Sequence, residues 1–284
     1  MHIVYHFSVC YNFFMKTNLP GVYETRKKDN SIYYRVSITH NGKHISLGSY
    51  QDKNKAARAY REAKKLLENS ALTIEKYSEK KALSFEKWVC LANFRDNGIY
   101  IANPIYIRPK MFYYYLSPEE ILKFDADDLF YYSSHKIMRR GGHFFVADYG
   151  MQVNIINRYG IKNYGVSGRD YRFINGDSMD FRYSNIEIIN VYHGVSEKKY
   201  RGRNCFCCKI HINGYYIVGH YKDGIDAAIA YNKAVDFVKS HGITKKYAVN
   251  FIDGITPREY AERYQKIKIS DKLKNYCINA QNNQ

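Results

Sequence analysis

The feature that most restricts the fold of this chain is an internal repeat, in which residues 21–67 and 194–238 share one pattern. Each copy begins with Gly-Val, runs through an aromatic-led segment to Asn-Gly, continues to Gly-x-Tyr-x-Asp and ends in AA-x-AY-x-x-A. A constant spacing of 171 residues separates Gly48 from Gly219 and Tyr60 from Tyr231. Asn-Gly between alternating segments is a strong hairpin signal. We therefore predict two copies of one small unit.

Each copy is predicted to form three short antiparallel strands followed by a helix. The apolar stripe of the first helix has the spacing of a 3.6-residue period and consists of Ala56, Tyr60, Ala63 and Leu67. Because side chains alternate along a strand, Tyr34, Val36 and Ile38 should meet that helix. The opposite side, with Tyr33, Arg35, Ser37 and Thr39, is then left free. A small, polar and basic sheet face of this kind can enter a DNA major groove.

The charge of the chain indicates a polyanionic partner. Lys and Arg outnumber Asp and Glu by 44 to 27, a net charge of +17. No uncharged apolar run approaches the ~18 residues of a membrane span. We therefore expect double-stranded DNA as the partner and no membrane. The expected location is cytoplasmic, with the nucleoid in a bacterium or the nucleus in a eukaryote.

The segments GV, YRVSI, NGKHISLGSY and AARAY of the first copy together resemble the Apetala-type, or ethylene-response-factor, DNA-binding domain. That family lays a three-stranded sheet in the major groove. The resemblance implies DNA contacts from Tyr23, Arg26, Lys27, Lys28, Arg35, Ser37, Thr39, Lys43, His44 and Ser46. Arg26 and Arg35 are the implied base or phosphate donors, since a guanidinium can bind guanine through two hydrogen bonds. Lys27, Lys28 and Lys43 are implied phosphate ligands.

The second copy departs from the family pattern around its third strand. Its implied contacts are Lys198, Lys199, Arg201, Lys209, His211 and Tyr215. The segment Tyr216–Gly219 is one residue shorter than the family pattern, and Ile217 stands where the family has a polar contact. The fold implied by the resemblance is therefore better supported here than the contacts.

Between the repeats, the segment from Phe173-Ile174-Asn175-Gly176-Asp177 to Asn185 resembles the core of HNH homing endonucleases, which commonly precedes an Apetala-type domain. Such a nuclease needs a histidine base and a metal ion. In this chain the histidine position is Phe173, a neighbouring metal-ligand position is Arg172, and the first Asn of D-N-R is Phe181. Asp180, Arg182 and Asn185 match, and Asn185 is the one remaining implied metal ligand.

We therefore expect a degenerate HNH core with no catalytic residues, no metal and no cofactor, retained as scaffold. Residual DNA contact is expected through Arg169, Arg172 and Arg182. The alternative is an active Mg²⁺-dependent endonuclease with a relocated histidine, drawn from His135, His143 or His193. A further alternative is a structural or RNA-binding protein that uses its basic sheets without reading a groove.

The predicted fold class is α+β, with the two sheet-plus-helix modules flanking a mixed α+β HNH-like middle domain. The predicted boundaries are an extension over 1–17, modules over 18–69 and 193–240, a middle domain over 70–192 and a helical tail over 241–284. Within the middle domain we predict a helical stretch over 71–93, strands over 99–116 broken at Pro109, a short helix opening at Ser117 and strands over 136–157.

Three neighbouring cysteines, Cys205, Cys207 and Cys208, lack the C-x-x-C spacing of a zinc site. They are predicted to be ordinary strand residues. The preferred function is a non-enzymatic, sequence-specific DNA-binding protein, transcription-factor-like or derived from a mobile element.

Overall fold

A computed structural model describes residues 15–26, 29–162 and 165–282. Lys27, Lys28 and most of the predicted extension lie outside these residues. The chain is α+β, as predicted, and it divides into two compact units. The first unit ends at Ile155 and takes in Ser178–Tyr183, and the second comprises Ile156–Asp177 and the chain from Ser184 onwards. The segment 70–192 is thus shared between both units.

The first unit begins with an antiparallel sheet in the order β1-β2-β3-β4. Its strands are β1 (Met15–Lys16), β2 (Val22–Arg26), β3 (Ile32–His40) and β4 (Lys43–Tyr50). Helix α1 (Lys53–Glu68) follows, and Asp52 caps it by accepting a hydrogen bond from the Lys55 amide. The fully buried alanines of α1, Ala56, Ala59 and Ala63, have no long side chain and let the helix lie close to the sheet.

The rest of the first unit alternates helices with two further three-stranded sheets. Its elements are α2 (Phe85–Asn97), β5 (Ile105–Arg108), β6 (Met111–Tyr115), β7 (Ile121–Asp125), α3 (Leu129–Ser134), β8 (Met138–Arg140), β9 (His143–Asp148) and β10 (Met151–Asn154). Trp88, Leu91 and Phe94 of α2 pack into the core that α1 shares with its sheet. This helix therefore adds a second layer behind the first sheet.

Two sequence predictions for this region are wrong. The stretch predicted to be helical from residue 71 becomes a continuous α-helix only at Phe85, because Ser84 caps it by accepting a hydrogen bond from the Lys87 amide. Ser117 opens no helix. It lies in the hairpin loop between β6 and β7, where its hydroxyl accepts hydrogen bonds from the amides of Glu119 and Glu120. In a Ser-Pro-Glu-Glu sequence the serine hydroxyl can accept hydrogen bonds from the following amides either in a tight loop or at the start of a helix. The sequence alone therefore does not distinguish the two structures.

The second unit contains a short hairpin, a second repeat sheet and three helices. Its elements are β11 (Tyr171–Phe173), β12 (Ile186–Ile188), β13 (Val195–Tyr200), β14 (Arg203–His211), β15 (Tyr215–Tyr221), α4 (Gly224–Ser240), α5 (Pro257–Lys266) and α6 (Asp271–Asn282). The repeat sheet has the order β13-β14-β15 and packs against α4. Residues of the C-terminal segment, including Ile269, Leu273 and Cys277, complete this core.

The two repeat sheets share an irregularity. The pairing register shifts between Val36 and Ser37 in the first sheet and between Cys208 and Lys209 in the second. In each third strand one residue is thereby left without a partner, Leu47 or Val218, and both are buried. A β-bulge at the same repeat position in both copies supports one common unit.

Both copies also begin at a glycine that no other residue can replace without strain. Gly21 and Gly194 have φ angles of 66° and 73°. A Cβ atom added to either would lie within 2.4 Å of a ring atom of Tyr60 or Tyr231. The Gly-Val start and the helix tyrosine of the repeat pattern are therefore two sides of one contact.

Candidate nucleic-acid interface

The side of the first repeat sheet that points away from α1 is called the first outer face. By strand register it consists of Tyr23, Thr25, Tyr33, Arg35, Ser37, Thr39, His44, Ser46 and Ser49. Arg35, Thr39, His44, Ser46 and Ser49 are exposed, whereas Thr25 is buried. No acidic residue lies on this face among the described residues of the three strands. The face can therefore offer hydroxyl, imidazole and guanidinium donors to an anionic partner.

The centre of the first outer face is Arg35, on the middle strand. Its guanidinium lies 5.8 Å from the ring centroid of Tyr33, a distance typical of a cation–π contact. Toward the hairpin turn, the Thr39 hydroxyl and His44 Nδ1 share a hydrogen bond of 3.2 Å. These contacts limit the rotamers of side chains that already project from a rigid sheet.

Two predicted contacts of the first copy do not lie on this face. Arg26 pairs with Ile32, and Lys43 pairs with His40, so by register both belong to the side that faces α1. Both are exposed, and the Lys43 ammonium lies 6.0 Å from the ring centroid of Tyr100. The alternation of the strands turns both side chains away from Arg35.

The corresponding surface of the second repeat sheet is called the second outer face. By register it consists of Ser196, Lys198, Tyr200, Arg203, Cys205, Cys207, Lys209, His211, Tyr215, Ile217 and His220. Four of the six predicted contacts, Lys198, Lys209, His211 and Tyr215, lie on it. Lys199 pairs with Asn204 and faces the other way, and Arg201 lies in the turn between β13 and β14.

Part of the second outer face is covered by its own side chains. The rings of Tyr200 and His220, from the two strands that flank β14, stack with centroids 4.1 Å apart. Stacked rings from both flanking strands must pass over the central strand β14. Cys207 of that strand, which pairs with His220, is 2% exposed. Cys207 holds the place that Arg35 has in the first copy, between the first and third strands. The accessible half of this face is therefore the half near the Asn213-Gly214 turn.

That accessible half borders a basic groove within the second unit, with a volume of about 990 Å³. Lys198, Lys209, His211 and Tyr215 line one wall. The other cationic residues of the lining are Lys162, Arg169, Lys245 and Lys246. Burial lowers the pKa of Lys162. Asp170 and Glu197 are the acidic residues of the lining, so cations predominate.

Lys245 fixes the orientation of His211 at the rim of this groove. Its ammonium donates to His211 Nδ1 at 2.6 Å and to the carbonyl oxygens of His211 and Ile212 at 3.2 and 3.1 Å. Because Nδ1 accepts, the proton of a neutral ring is assigned to Nε2. His211 can then act as a hydrogen-bond donor through Nε2.

The HNH-like residues are divided between the two units. Met179–Phe181 lies beside β7, where the Lys123 amide donates to Met179 O and the Phe181 amide donates to Lys123 O. Phe181 is 3% exposed and stacks on Phe124 with ring centroids 5.7 Å apart. Asp180, 1% exposed, accepts hydrogen bonds from Arg182 Nε and Nη2. The D-x-R part of the motif is thus built into the core of the first unit.

In the second unit, Asn185 closes the Asn-Gly loop. Its side-chain oxygen accepts a hydrogen bond of 2.8 Å from the Asn175 amide, and its carbonyl oxygen accepts one of the same length from Ile174. Phe173, at the position of the family's histidine, lies half-buried beside Tyr171 with ring centroids 5.7 Å apart. Neither residue contributes a proton-accepting nitrogen to a site.

The arginines expected to give residual DNA contact are already engaged with carboxylates. Arg169 pairs with Asp170, Arg172 with Glu187 and Arg182 with Asp180, at 2.6, 2.5 and 2.5 Å. Of the candidate histidines, His135 pairs with Asp148 at 3.6 Å in the first unit, and His193 belongs to the second. Within the part of the chain that the structure describes, no group of three or more His, Cys, Asp or Glu residues could hold a metal ion.

The sequence interpretation missed part of both outer faces. Ser49 follows the bulge at Leu47, so a regular alternation counted from Ser46 puts it on the wrong side. Tyr200, Arg203 and His220 become members of the second outer face only through the pairing register. The sequence marks the turn through its Asn-Gly pair, and that turn fixes the register of the hairpin near it. No sequence feature marks the bulge, which changes the register beyond it.

Comparisons with family models, with curated proteins and with solved structures give no match to this chain. Among the described residues, no helix is both long and apolar enough to cross a membrane.

Proposed function

We propose that the chain binds double-stranded DNA, with the first and second outer faces each entering a major groove. The observation that carries the proposal is the first outer face, which is open, cationic at its centre and free of acidic residues among the described strands. A sheet of this width fits a major groove, and Arg is the side chain that most often reads guanine there. The net charge of +17 supplies the general attraction to phosphate.

The second copy supports the same proposal with a different contribution. It repeats the sheet, the bulge and the helix, but its accessible cations lie at one end of the face and along the basic groove. Two linked modules on one chain raise the effective concentration of the second contact once the first has formed. We therefore expect the DNA site to have two half-sites, one for each module, that are contacted by different side-chain chemistry.

The proposed role is non-enzymatic, as in a regulator or an accessory factor of a mobile element, and it assigns no catalytic step to the HNH-like residues. Incubation of supercoiled plasmid with the full chain and Mg²⁺ or Mn²⁺ tests this part separately. We expect no nicking above that of heat-inactivated protein. Reproducible metal-dependent cleavage that is lost in Asn185→Ala would instead support the nuclease alternative.

Equilibrium binding to duplex DNA at several salt concentrations tests the binding itself. We expect the logarithm of the affinity to fall linearly with the logarithm of salt concentration, since phosphate contacts release counterions. Arg35→Ala should weaken binding to a selected duplex by about 1–3 kcal/mol. Arg61→Ala, an exposed arginine on α1, is the matched control and should have little effect.

A flat salt response, or equal losses in the two variants, would contradict the proposal. Competition with an RNA duplex of the same sequence separates groove reading from general polyanion binding. If the RNA competes as well as the DNA, the basic sheets bind nucleic acid without reading the major groove of B-form DNA.

A further inference from the structure

The second outer face differs from the first in the chemistry it presents to a base edge. Where the first face has the exposed guanidinium of Arg35, the second has the buried Cys207, in the half that carries the Tyr200–His220 stack. Where the first has the hydroxyl of Ser46, the second has Ile217. The second copy has therefore exchanged polar donors for an apolar side chain at the corresponding positions.

Exposed isoleucines are common on protein surfaces and need no explanation by themselves. The position of Ile217 is what distinguishes it. It is 47% exposed on β15, opposite Lys209, and it shares its face with Tyr215, which is 76% exposed. These two side chains form an apolar strip inside a cationic surface, in the half that no stacked ring covers.

The backbone at this position is held by the C-terminal segment. Ser270 Oγ donates a hydrogen bond of 2.6 Å to the carbonyl oxygen of Ile217, and the Ser270 amide donates one of 2.8 Å to that of Val218. These bonds engage the outer edge of β15 at the bulge. Ile217 therefore projects from a strand that is paired on one edge by β14 and bonded on the other by Ser270.

We infer that Ile217 is a specificity-determining residue that contacts the 5-methyl group of thymine, an inference that rests on the proposed DNA-binding function. In the major groove, thymine alone among the four bases offers a methyl group, and it is read by apolar contact. Lys209, paired with Ile217, and His211, paired with Tyr215, flank the strip and bind the adjoining phosphates or base acceptors. The first module reads a base edge through Arg35, and the second reads a thymine.

Deoxyuridine substitution tests this inference, because it removes the methyl group and leaves the base pair unchanged. A duplex is first selected by the full chain from a random library, and each thymine is then replaced singly. At a thymine in the half-site of the second module, we expect the affinity of the wild-type chain to fall roughly fourfold, the effect of one buried methyl group.

Two substitutions at Ile217 test whether this side chain causes the loss of affinity on replacing thymine with deoxyuridine. Ile217→Ser, which restores the chemistry of Ser46, should bring the thymine-to-deoxyuridine ratio to about one, whereas Ile217→Val should retain discrimination. Ile32→Ser removes a similarly exposed isoleucine from the side opposite Arg35 and should leave the ratio at its wild-type value. Thermal unfolding of each variant verifies that the sheet is intact.

The possible failures are distinct. If the chain binds a selected duplex but no single deoxyuridine lowers the affinity, or if Ile217→Ser leaves the ratio unchanged, the inference is wrong and the proposed function stands. If no duplex is bound in a salt-dependent manner, both the proposed function and the inferred thymine contact of Ile217 are wrong.

Discussion

At the scale of single residues, a few positions determine the local geometry that both copies share. Gly21 and Gly194 adopt positive φ angles, and each accepts a backbone hydrogen bond, from the amide of Ser37 or Lys209, at the bulge. The helix tyrosine of each copy packs directly on its glycine. In both copies the Gly-Val and AA-x-AY parts of the repeat are thus in contact with each other.

Gly21→Ala should destabilise the fold strongly. Its added Cβ atom would lie 2.4 Å from the Ser37 carbonyl oxygen and 2.3 Å from a Tyr60 ring carbon. We expect a loss of about 2–5 kcal/mol from left-handed backbone strain and overpacking together. Gly42→Ala is the matched control, with φ of 73° and no atom within 4 Å, and should lose only about 1–2 kcal/mol. Denaturant unfolding of both variants measures the difference, and equal losses would contradict the packing account.

Asp180 is expected to stabilise the first unit. It is buried and accepts charge-assisted hydrogen bonds from Arg182, whose side chain is 36% exposed. Asp180→Ala should cost about 1.5–3 kcal/mol, the range for a hydrogen bond to a charged group. Arg172→Ala is a useful comparison, since its bridge to Glu187 is exposed at both ends and should contribute at most about 1 kcal/mol. A neutral effect of Asp180→Ala on unfolding would show that this part of the motif is not a structural element.

His193 predicts a pH dependence of stability. Burial lowers its pKa below the usual 6.5, and the positive charge of Lys162 lowers it further, against a weaker effect of Asp170. Because the unfolded chain then binds the proton more readily than the folded one, stability falls as pH drops below about 6.5. His193→Gln should lose less stability than wild type between neutral pH and pH ~5. Denaturant unfolding of both chains at several pH values measures the free energy of unfolding at each pH. If this free energy changes equally with pH in wild type and His193→Gln, the assignment to His193 is wrong.

At the scale of elements, the repeat pattern was sufficient to predict the strands and the helix of each copy. Val36 and Ile38 are buried and Arg35 and Thr39 exposed, as alternation predicts. The bulges at Leu47 and Val218 could not be predicted, because both residues look like ordinary members of an alternating strand. Arg26 and Lys199 lie on strands β2 and β13, whose pairing has no bulge, and regular alternation turns both away from the outer faces.

Other elements depended on contacts distant in sequence. The Tyr200–His220 stack joins two strands that flank a third, and no local pattern signals it. Met179–Phe181 pairs with β7, although the two segments are more than fifty residues apart in the sequence. The resemblance to HNH nucleases, from which Phe173 and Phe181 depart, stays a prediction from the sequence.

One long-range pair holds the segment after α4. Asn232 lies in that helix, and its side chain donates to Asn250 O at 2.9 Å and accepts from the Asn250 amide at 2.7 Å, both buried. Asn232→Ala leaves two buried backbone groups unpaired and should destabilise the fold by about 2–6 kcal/mol, or 1–3 per group. Asn204→Ala, at an exposed strand position, is the control and should be nearly neutral. Hydrogen exchange should show faster exchange at the Asn250 amide, and unaltered protection there would contradict the assignment.

At the scale of the whole molecule, the proposal depends on two surfaces of unequal chemistry on one chain. The first presents an arginine at its centre, and the second presents an apolar strip bordered by cations. Phe181 and Asp180 are buried in the first unit, and Asn185 closes the Asn-Gly loop of the second. Binding would then arise from the repeats and the excess of positive charge.

Methylation interference on a selected duplex tests this central claim most directly, because methylation at guanine N7 blocks the major groove and methylation at adenine N3 blocks the minor groove. The account predicts that methylation at guanine N7 within the half-site of the first module interferes with binding of the wild-type chain. This interference should be lost selectively in Arg35→Ala, and methylation at adenine N3 should not be the sole source of interference. Interference only at adenine N3, or an N7 pattern unchanged in Arg35→Ala, would contradict it.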